Sequence, residues 1–302
     1  HFVIAIWLGF AATAAAQAPP GMPRTPDGRP GLQGTWASHW MTPIERLPEA
    51  ETVVLDAAEA AHVERAAMAR MLAAGIVGYS DEGNTILVVQ GEYRAAMIVD
   101  PPDGRLPYLP GMRPSPGGSR GIDGPEQRML QERCIAGSGR GPLFHNPGHS
   151  IRTIVQTTDS VVVHSEGIND LRVFRIGAPH RPEAMRSLWG DSVGGWEGDT
   201  LVVETTHFLR SDPVRTTVGY TPLSIREDAK LIERFTLVSP DEMLYEFTVE
   251  DPATYARSWK AENSMRRTTL RQFEFACHEG NYSMANILRG ARVQERRASQ
   301  AE

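Results

Sequence analysis

The side chains whose spacing could let them move protons or bind an ion together fall into a handful of stretches. In "VVVHSEGIND" strand alternation puts His164 and Glu166 on one face with Val162. An imidazole and a carboxylate so placed reach the same ligand and form a general acid/base pair. The next stretch, "LRVFRIG", brings Arg172 or Arg175 beside them, depending on register. In "TLVVETTHF" Glu204 and His207 fall on opposite faces; with Leu201 and Val203 packed inward, Thr205 and His207 share the interior as ligand-facing groups. Glu233 in "LIERF" travels with Leu231 and Phe235, and a carboxylate buried among them needs an arginine partner. Each reading has a structural alternative. His164 and Glu166 also suit an outward polar face, and His207 suits a hydrogen-bonded core position.

The segment "LWGDSVGGWEGDT" concentrates Trp189, Trp196, Asp191, Glu197 and Asp199 in what reads as a Gly-rich loop. Indole faces with a polar rim suit sugar rings or aromatic ligands, while "EGDT" is also what a tight turn before a strand requires. His145 and His149 in "LFHNPGHS" have HxxxH spacing. The Asn-Pro-Gly between them forbids the helix that would align them, so a zinc-protease reading fails. His145, His149 and His180 remain loop histidines able to join His164 in a site. With no phosphate loop, nucleophile elbow or metal-ligand motif, neither a cofactor nor a metal ion is expected.

Cys134 and Cys277 are the two cysteines of the chain. Cys277 and His278 are adjacent in "CHEGNY", so on extended backbone they point to opposite faces and make a poor nucleophile–base pair. The start of the chain, "HFVIAIWLGFAATAAAQAPP", has an apolar run followed by small residues, which marks residues 1–18 as a secretory signal peptide. In an oxidising compartment an even pair reads as a disulfide. Beyond it, Asn281 or Ser283 caps a final helix whose free N–H groups lie near His278 and Glu279. These two form a second polar pair, expected to meet His164 and Glu166 in one pocket bordered by Trp189 or Trp196.

Several elements must position these groups. Residues 19–54 read as an extended Pro/Gly-rich lead-in, and 55–150 as a helical and loop segment packed on a sheet. Within the second, Asp56 caps a helix carrying Val63, Ala67 and Met71, and "GPEQRMLQERCIAG" reads as a short helix carrying Cys134. From Ile151 the period becomes two, through "IRTIVQT", "VVVHSE", "LRVFRIG", "TLVVETTHF", "KLIERFTLV", "EMLYEFTVE" and "SMRRTTLRQFEFAC". Residues 151–302 are therefore expected to form an antiparallel β domain with a C-terminal helix. The fold class is mainly β: an antiparallel meander closed or nearly closed into a lipocalin-like barrel, with the helix covering it through Met284, Ile287, Leu288 and Ala291. A formal charge of −6 with scattered arginines excludes nucleic acid as the main partner. No later run is apolar enough to span a membrane in the mature chain.

The blocks "PDGRPGLQGTW", "QERCIAG", "LWGDSVGGWEGDTLVVETTHF", "IERFTLVSPDEMLYEFTVEDP" and "FACHEGNYSMANILRGAR" resemble a functionally uncharacterised family of exported proteins of soil and marine bacteria. The resemblance runs from about Pro26 to Arg292 and implies export and a β-rich fold. The family often carries Arg where this chain has Gly195. The resulting expectation is a periplasmic or secreted enzyme, a hydrolase or lyase acting on a saccharide or small organic molecule. The alternative is a non-catalytic periplasmic protein that binds a small molecule or glycan.

Overall fold

The computed structural model describes residues 21–38, 41–73, 85–114, 124–137, 139–144, 151–209, 214–216 and 222–300. The signal segment, His145 and His149 lie outside them. In chain order the elements are β1 (Gly34–Ala37), β2 (Val54–Leu55), α1 (Ala57–Ala73), β3 (Leu87–Val89), β4 (Glu92–Arg94) and β5 (Ile98–Asp100). There follow β6 (Ile151–Gln156), β7 (Ser160–Ser165), β8 (Leu171–Ile176), β9 (Asp191–Glu197) and β10 (Thr200–Thr206). After β11 (Val214–Thr216) and β12 (Pro222–Ser224), a small hairpin, come β13 (Lys230–Ser239), β14 (Glu242–Glu250), β15 (Trp259–Arg267) and α2 (Tyr282–Ser299).

Alternation of side chains makes the barrel. Along β13, Leu231, Glu233, Phe235 and Leu237 are buried, as are Met243, Tyr245, Phe247 and Val249 of β14. Their neighbours are less buried, so one face of each strand packs inward. The sheet runs β1-β6-β7-β8-β9-β10-β13-β14-β15, and β1 pairs back onto β15 to close a ring of nine strands. β5 fills the rest of the outer edge of β15, pairing at Lys260 and Ala261, while β1 pairs at Arg266 and Arg267.

A ring of nine cannot be antiparallel throughout. Strand direction reverses at each antiparallel joint, and an odd number of reversals would return to the start pointing backwards. One joint must therefore be parallel, and it is β8–β9, where Phe174 lies opposite Ser192 and Ile176 opposite Gly194. The other joints are antiparallel, so the expected meander is interrupted once. Consequently "DSVGGWE", expected as loop, is the strand β9.

The lead-in and middle segments are more than packing on a finished sheet. β1 comes from residues 19–54 and is itself a stave of the barrel, against the expectation of a bare lead-in. α1 forms as expected: the Asp56 carboxylate accepts from the N–H groups of Ala58 and Glu59, and the Glu59 carboxylate accepts from the Asp56 N–H. It packs Val63, Ala67 and Met71 into a second small core with Leu55, Ile86 and Ala95. The expected short helix before Cys134 is a 3₁₀ turn, Pro125–Gln127, followed by irregular turns. The strand expected in "SMRRTTLRQFEFAC" ends at Arg267.

The segment 139–144 then enters the barrel. Leu143 and Phe144 belong to the main core, the Leu143 N–H donates to Tyr245 Oη at 2.8 Å, and Phe144 stands edge-on to Phe247 with centroids 5.6 Å apart. Gly141 is needed here, because a Cβ at that position would sit 2.5 Å from Arg172 Nη1 and 2.7 Å from a Leu231 methyl. Trp36, Phe235, Tyr245, Phe247 and Trp259 are also buried in this core.

Cys134 and Cys277 are joined by a disulfide with a Cα–Cα distance of 5.7 Å. Asn281, the N-cap of α2, accepts from Met284 N–H and donates to the Glu132 carbonyl at 2.9 Å, so helix and plug-bearing segment share one corner. On α2, Met284, Ile287 and Leu288 are half-buried and Ala291 is buried. No helix among the described residues is long and apolar enough to cross a membrane. The bridge closes a separation of 143 residues, for which loop-closure entropy gives about 5 kcal/mol. The Cys134→Ser/Cys277→Ser double variant should lose about 3–5 kcal/mol of unfolding free energy in guanidinium titrations; a loss below about 1 kcal/mol would show that the bridge constrains little.

Candidate functional site

The parallel joint leaves a notch. β9 meets β8 at Phe174–Ile176, so Leu171, Arg172 and Val173 run past the start of β9 without a partner from it. The chain must also travel from the end of β8 back to the beginning of β9, and residues 177–190 make that return. Notch and return together form a cleft of about 200 Å³, lined by Arg172, Arg175, Arg181, Ser187, Trp189 and Asp191 among others. Gly190 sits at φ +72°, and a Cβ there would meet the Thr206 carbonyl oxygen at 2.7 Å. That conformation turns the chain from Trp189 into β9.

At the floor of the cleft is the buried network of the barrel. Arg172 and Glu233, both fully enclosed, form a two-pronged pair at 2.9 and 2.6 Å. Glu233 also accepts from Tyr245 Oη at 2.7 Å, and Arg172 donates to Thr205 Oγ1 at 3.0 Å. Burial opposes the Arg172 charge, but the Glu233 carboxylate more than restores it and holds the guanidinium above its ordinary pKa. Burial, followed by the negative charge of Glu233, drives the Tyr245 phenol well above 10. Nearby, Arg152 is enclosed with its guanidinium on the Phe144 carbonyl, and burial brings its pKa down to about 10. Arg172, expected as a ligand contact, is thus chiefly the partner that Glu233 requires.

Asp170 links plug and cleft. Its Oδ2 accepts from the N–H groups of Gly137 and Gly139 at 2.7 and 2.8 Å, and its Oδ1 from Trp189 Nε1 at 3.2 Å. Burial raises its pKa despite these donors. Trp189 is thereby fixed at the cleft wall.

A titratable cluster is built around Asp191; His180, Glu204 and His207 stand beyond it and are not among the residues that line the cleft, whereas Asp191 is. This carboxylate accepts from Arg175 Nη2 at 2.9 and 3.0 Å, from Arg181 N–H at 2.9 Å, and meets His180 Nδ1 at 2.8 Å. Its burial works to raise the pKa, but those donors outweigh it and hold Asp191 below the usual carboxylate range. His180 Nε2 lies 3.2 Å from Glu204 Oε1, and Lys230 Nζ lies 3.7 Å from Glu204 Oε2. The His207 ring meets His180 edge-on, with centroids 5.5 Å apart.

His207 therefore does not join the barrel interior with Thr205, as alternation would have it. It follows the last residue of β10 at φ +56°, in the left-handed region, and this twist carries its ring to the His180 side, where Glu204 also points. The expectation that Glu204 and His207 face opposite ways fails because the strand ends between them.

The other expected pairs lie elsewhere. Val161, Val163 and Ser165 of β7 are the buried residues, so His164 is on the outer face. The segment after β15 crosses it there: Gln272 Nε2 donates to the His164 carbonyl at 3.0 Å, and Glu166 Oε1 accepts from Phe273 N–H at 3.1 Å. Glu166 thus braces this crossing. His278 and Glu279 are exposed on the corner after Cys277. None of these four residues lines the cleft, so the expected pocket holding both pairs beside Trp189 is not this cleft. Trp189 borders the cleft, while Trp196, at the far end of β9, packs against the main core with Arg29 over its ring at 5.9 Å. Glu197 pairs with Arg234, and Asp199 with Arg24. Asp191 was visible only as a loop acid, and His180 only as a loop histidine.

Compared with family models, curated proteins and solved structures, the chain matches none. Its functional reading rests on the geometry above. Two variants separate support from surface. Glu233→Ala leaves Arg172 enclosed and unpaired and should cost about 3–5 kcal/mol in denaturant unfolding. His164→Ala should stay within about 1 kcal/mol of the parent; the reverse order would show that His164, not the buried pair, supports the fold.

Proposed function

We propose that the protein is an exported enzyme that carries out acid/base hydrolysis or elimination on a small hydroxylated molecule, such as a saccharide, held in the notch beside β8. The observation that carries this reading is the double role of Asp191, which both lines the cleft and grips His180 at 2.8 Å. Trp189 offers a ring face at the same wall, and Arg181 adds charge at the rim. Ring faces with polar neighbours suit sugar binding.

Glu204 and His180 are the proton carriers of this scheme. Their 3.2 Å separation lets a proton taken at one be shared with the other. Asp191 fixes the imidazole, as a third group orients the base in other acid/base sites. Export is supported by the signal-like first 18 residues, by the disulfide and by the resemblance to an exported family. A barrel carrier needs an apolar cavity of several hundred cubic ångströms, whereas large side chains such as Phe144, Phe235, Tyr245, Phe247 and Trp259 pack together in this core.

The test is a panel of chromogenic glycosides and esters presented to the purified full chain. With any substrate turned over, Glu204→Gln should lower kcat/KM by about 10²-fold or more, and Trp189→Ala should raise KM while the melting temperature barely moves. Turnover that is unaffected by Glu204→Gln would sink the reading, and saccharide binding at Trp189 without turnover would favour a binding protein instead.

A further inference from the structure

The ring of His180 already meets a carboxylate at each nitrogen, Asp191 and Glu204, yet a second imidazole is brought against it by a left-handed backbone residue. His207 Nδ1 is buried and has no hydrogen-bond partner among the described residues. A buried nitrogen left so is costly, which calls for a partner the protein itself does not supply. The candidate ligand atoms of His180, Asp191 and His207 all lie within 4.8 Å of one another.

The geometry points to a divalent transition-metal site, zinc foremost, formed by His180, Asp191 and His207 and joined to the cleft through Asp191. This deepens the reading above and rests on it only for the use made of the ion. Ligands of a single zinc, each at about 2.1 Å, stand about 3.4 Å apart in a tetrahedron. His180 Nδ1 and Asp191 Oδ2 are already 2.8 Å apart, so the ion enters by a modest opening of that pair and a small swing of His207. It replaces the imidazole–carboxylate hydrogen bond. Two imidazoles with one carboxylate suit zinc and its first-row neighbours and disfavour calcium and magnesium, which take oxygen ligands.

The surroundings fit as well. Arg181 N–H and Arg175 hold Asp191 from behind, in the way that outer hydrogen bonds orient a ligating carboxylate. The Arg175 charge works against the ion, so binding at micromolar rather than vanishing free zinc is expected. Glu204 stays outside the ligand set and becomes the proton carrier for a molecule bound at the open position. The spacing 180, 191 and 207 follows none of the short metal motifs, which is why the sequence did not single out this trio.

The test titrates chelator-treated, metal-free full-length protein with Zn²⁺ by calorimetry, and with Co²⁺ by its visible absorption. One ion per chain is expected for the parent, for Glu204→Gln and for His164→Ala. Affinity should fall at least tenfold in His180→Ala and in His207→Asn; the latter keeps a residue at ease in the left-handed region, so folding is spared. Absence of stoichiometric binding by the parent, or binding that survives both His variants, overturns the site. Glycoside or ester turnover lost in Glu204→Gln but accompanied by no zinc binding would overturn the metal and leave the acid/base reading standing. One-to-one zinc binding without turnover would uphold the metal and count against that reading.

Discussion

Ring closure with an odd number of strands is the constraint on which the rest depends. Nine staves cannot alternate in direction all the way round, so one neighbouring pair runs in parallel. A parallel pair needs a long return, and here residues 177–190 supply it. They carry His180, Arg181, Ser187 and Trp189 past the end of β10, while the offset start of β9 leaves part of β8 unpaired. The cleft and its titratable cluster thus follow from topology. A barrel of eight staves could close without such a joint, and its wall would have no need of the notch.

The second organising feature is the neutralised interior. Arg172 reaches both the cleft floor and the core, and an unpaired cation there would be prohibitive. Glu233 offsets it, Tyr245 satisfies Glu233, and the plug satisfies Tyr245 through the Leu143 N–H. The chain of hydrogen bonds ties the plug to the wall opposite. On the other flank Asp170 ties the same segment, through the Gly139 N–H, to Trp189. The cleft is therefore rigid at its floor and on one wall, and its charge balance is set by Arg175, Arg181 and Asp191 at the rim.

The barrel was legible because period-two alternation is local: Met243, Tyr245, Phe247 and Val249 announce their inward face without reference to anything else. The α1 cap and the N-cap Asn281 are equally local. What escaped was set by non-local pairing. Nothing in "DSVGGWE" says that its neighbour runs in parallel, and nothing in "GLQGTWAS" says that Trp36 belongs to a stave between β6 and β15. The site was misplaced for a related reason. Alternation grouped His164 with Glu166, but β7 ends at Ser165 and Glu166 already has helical backbone, and burial of Val161, Val163 and Ser165 turns His164 outward. His207 escaped alternation through a single positive φ, and its partner His180 lay in a return whose path only the parallel joint explains. Glu233 was read well because a carboxylate between Leu231 and Phe235 requires an arginine wherever the chain finds one.

The seam between β1 and β15 sets an order of assembly. Trp36 lies near the beginning of the described chain and Arg267 near its end, yet their strands lie side by side. A chain delivered from its N-terminal side presents Trp36 early and must wait for β15 before that seam can form. Until then the sheet is open along both β6 and β15, with unpaired backbone exposed to other chains. Contacts of such sequence separation are slow to form. Closure of the barrel is therefore a late event in which the last stave of the chain meets the first, and the period before that meeting is when the chain most needs protection from its neighbours.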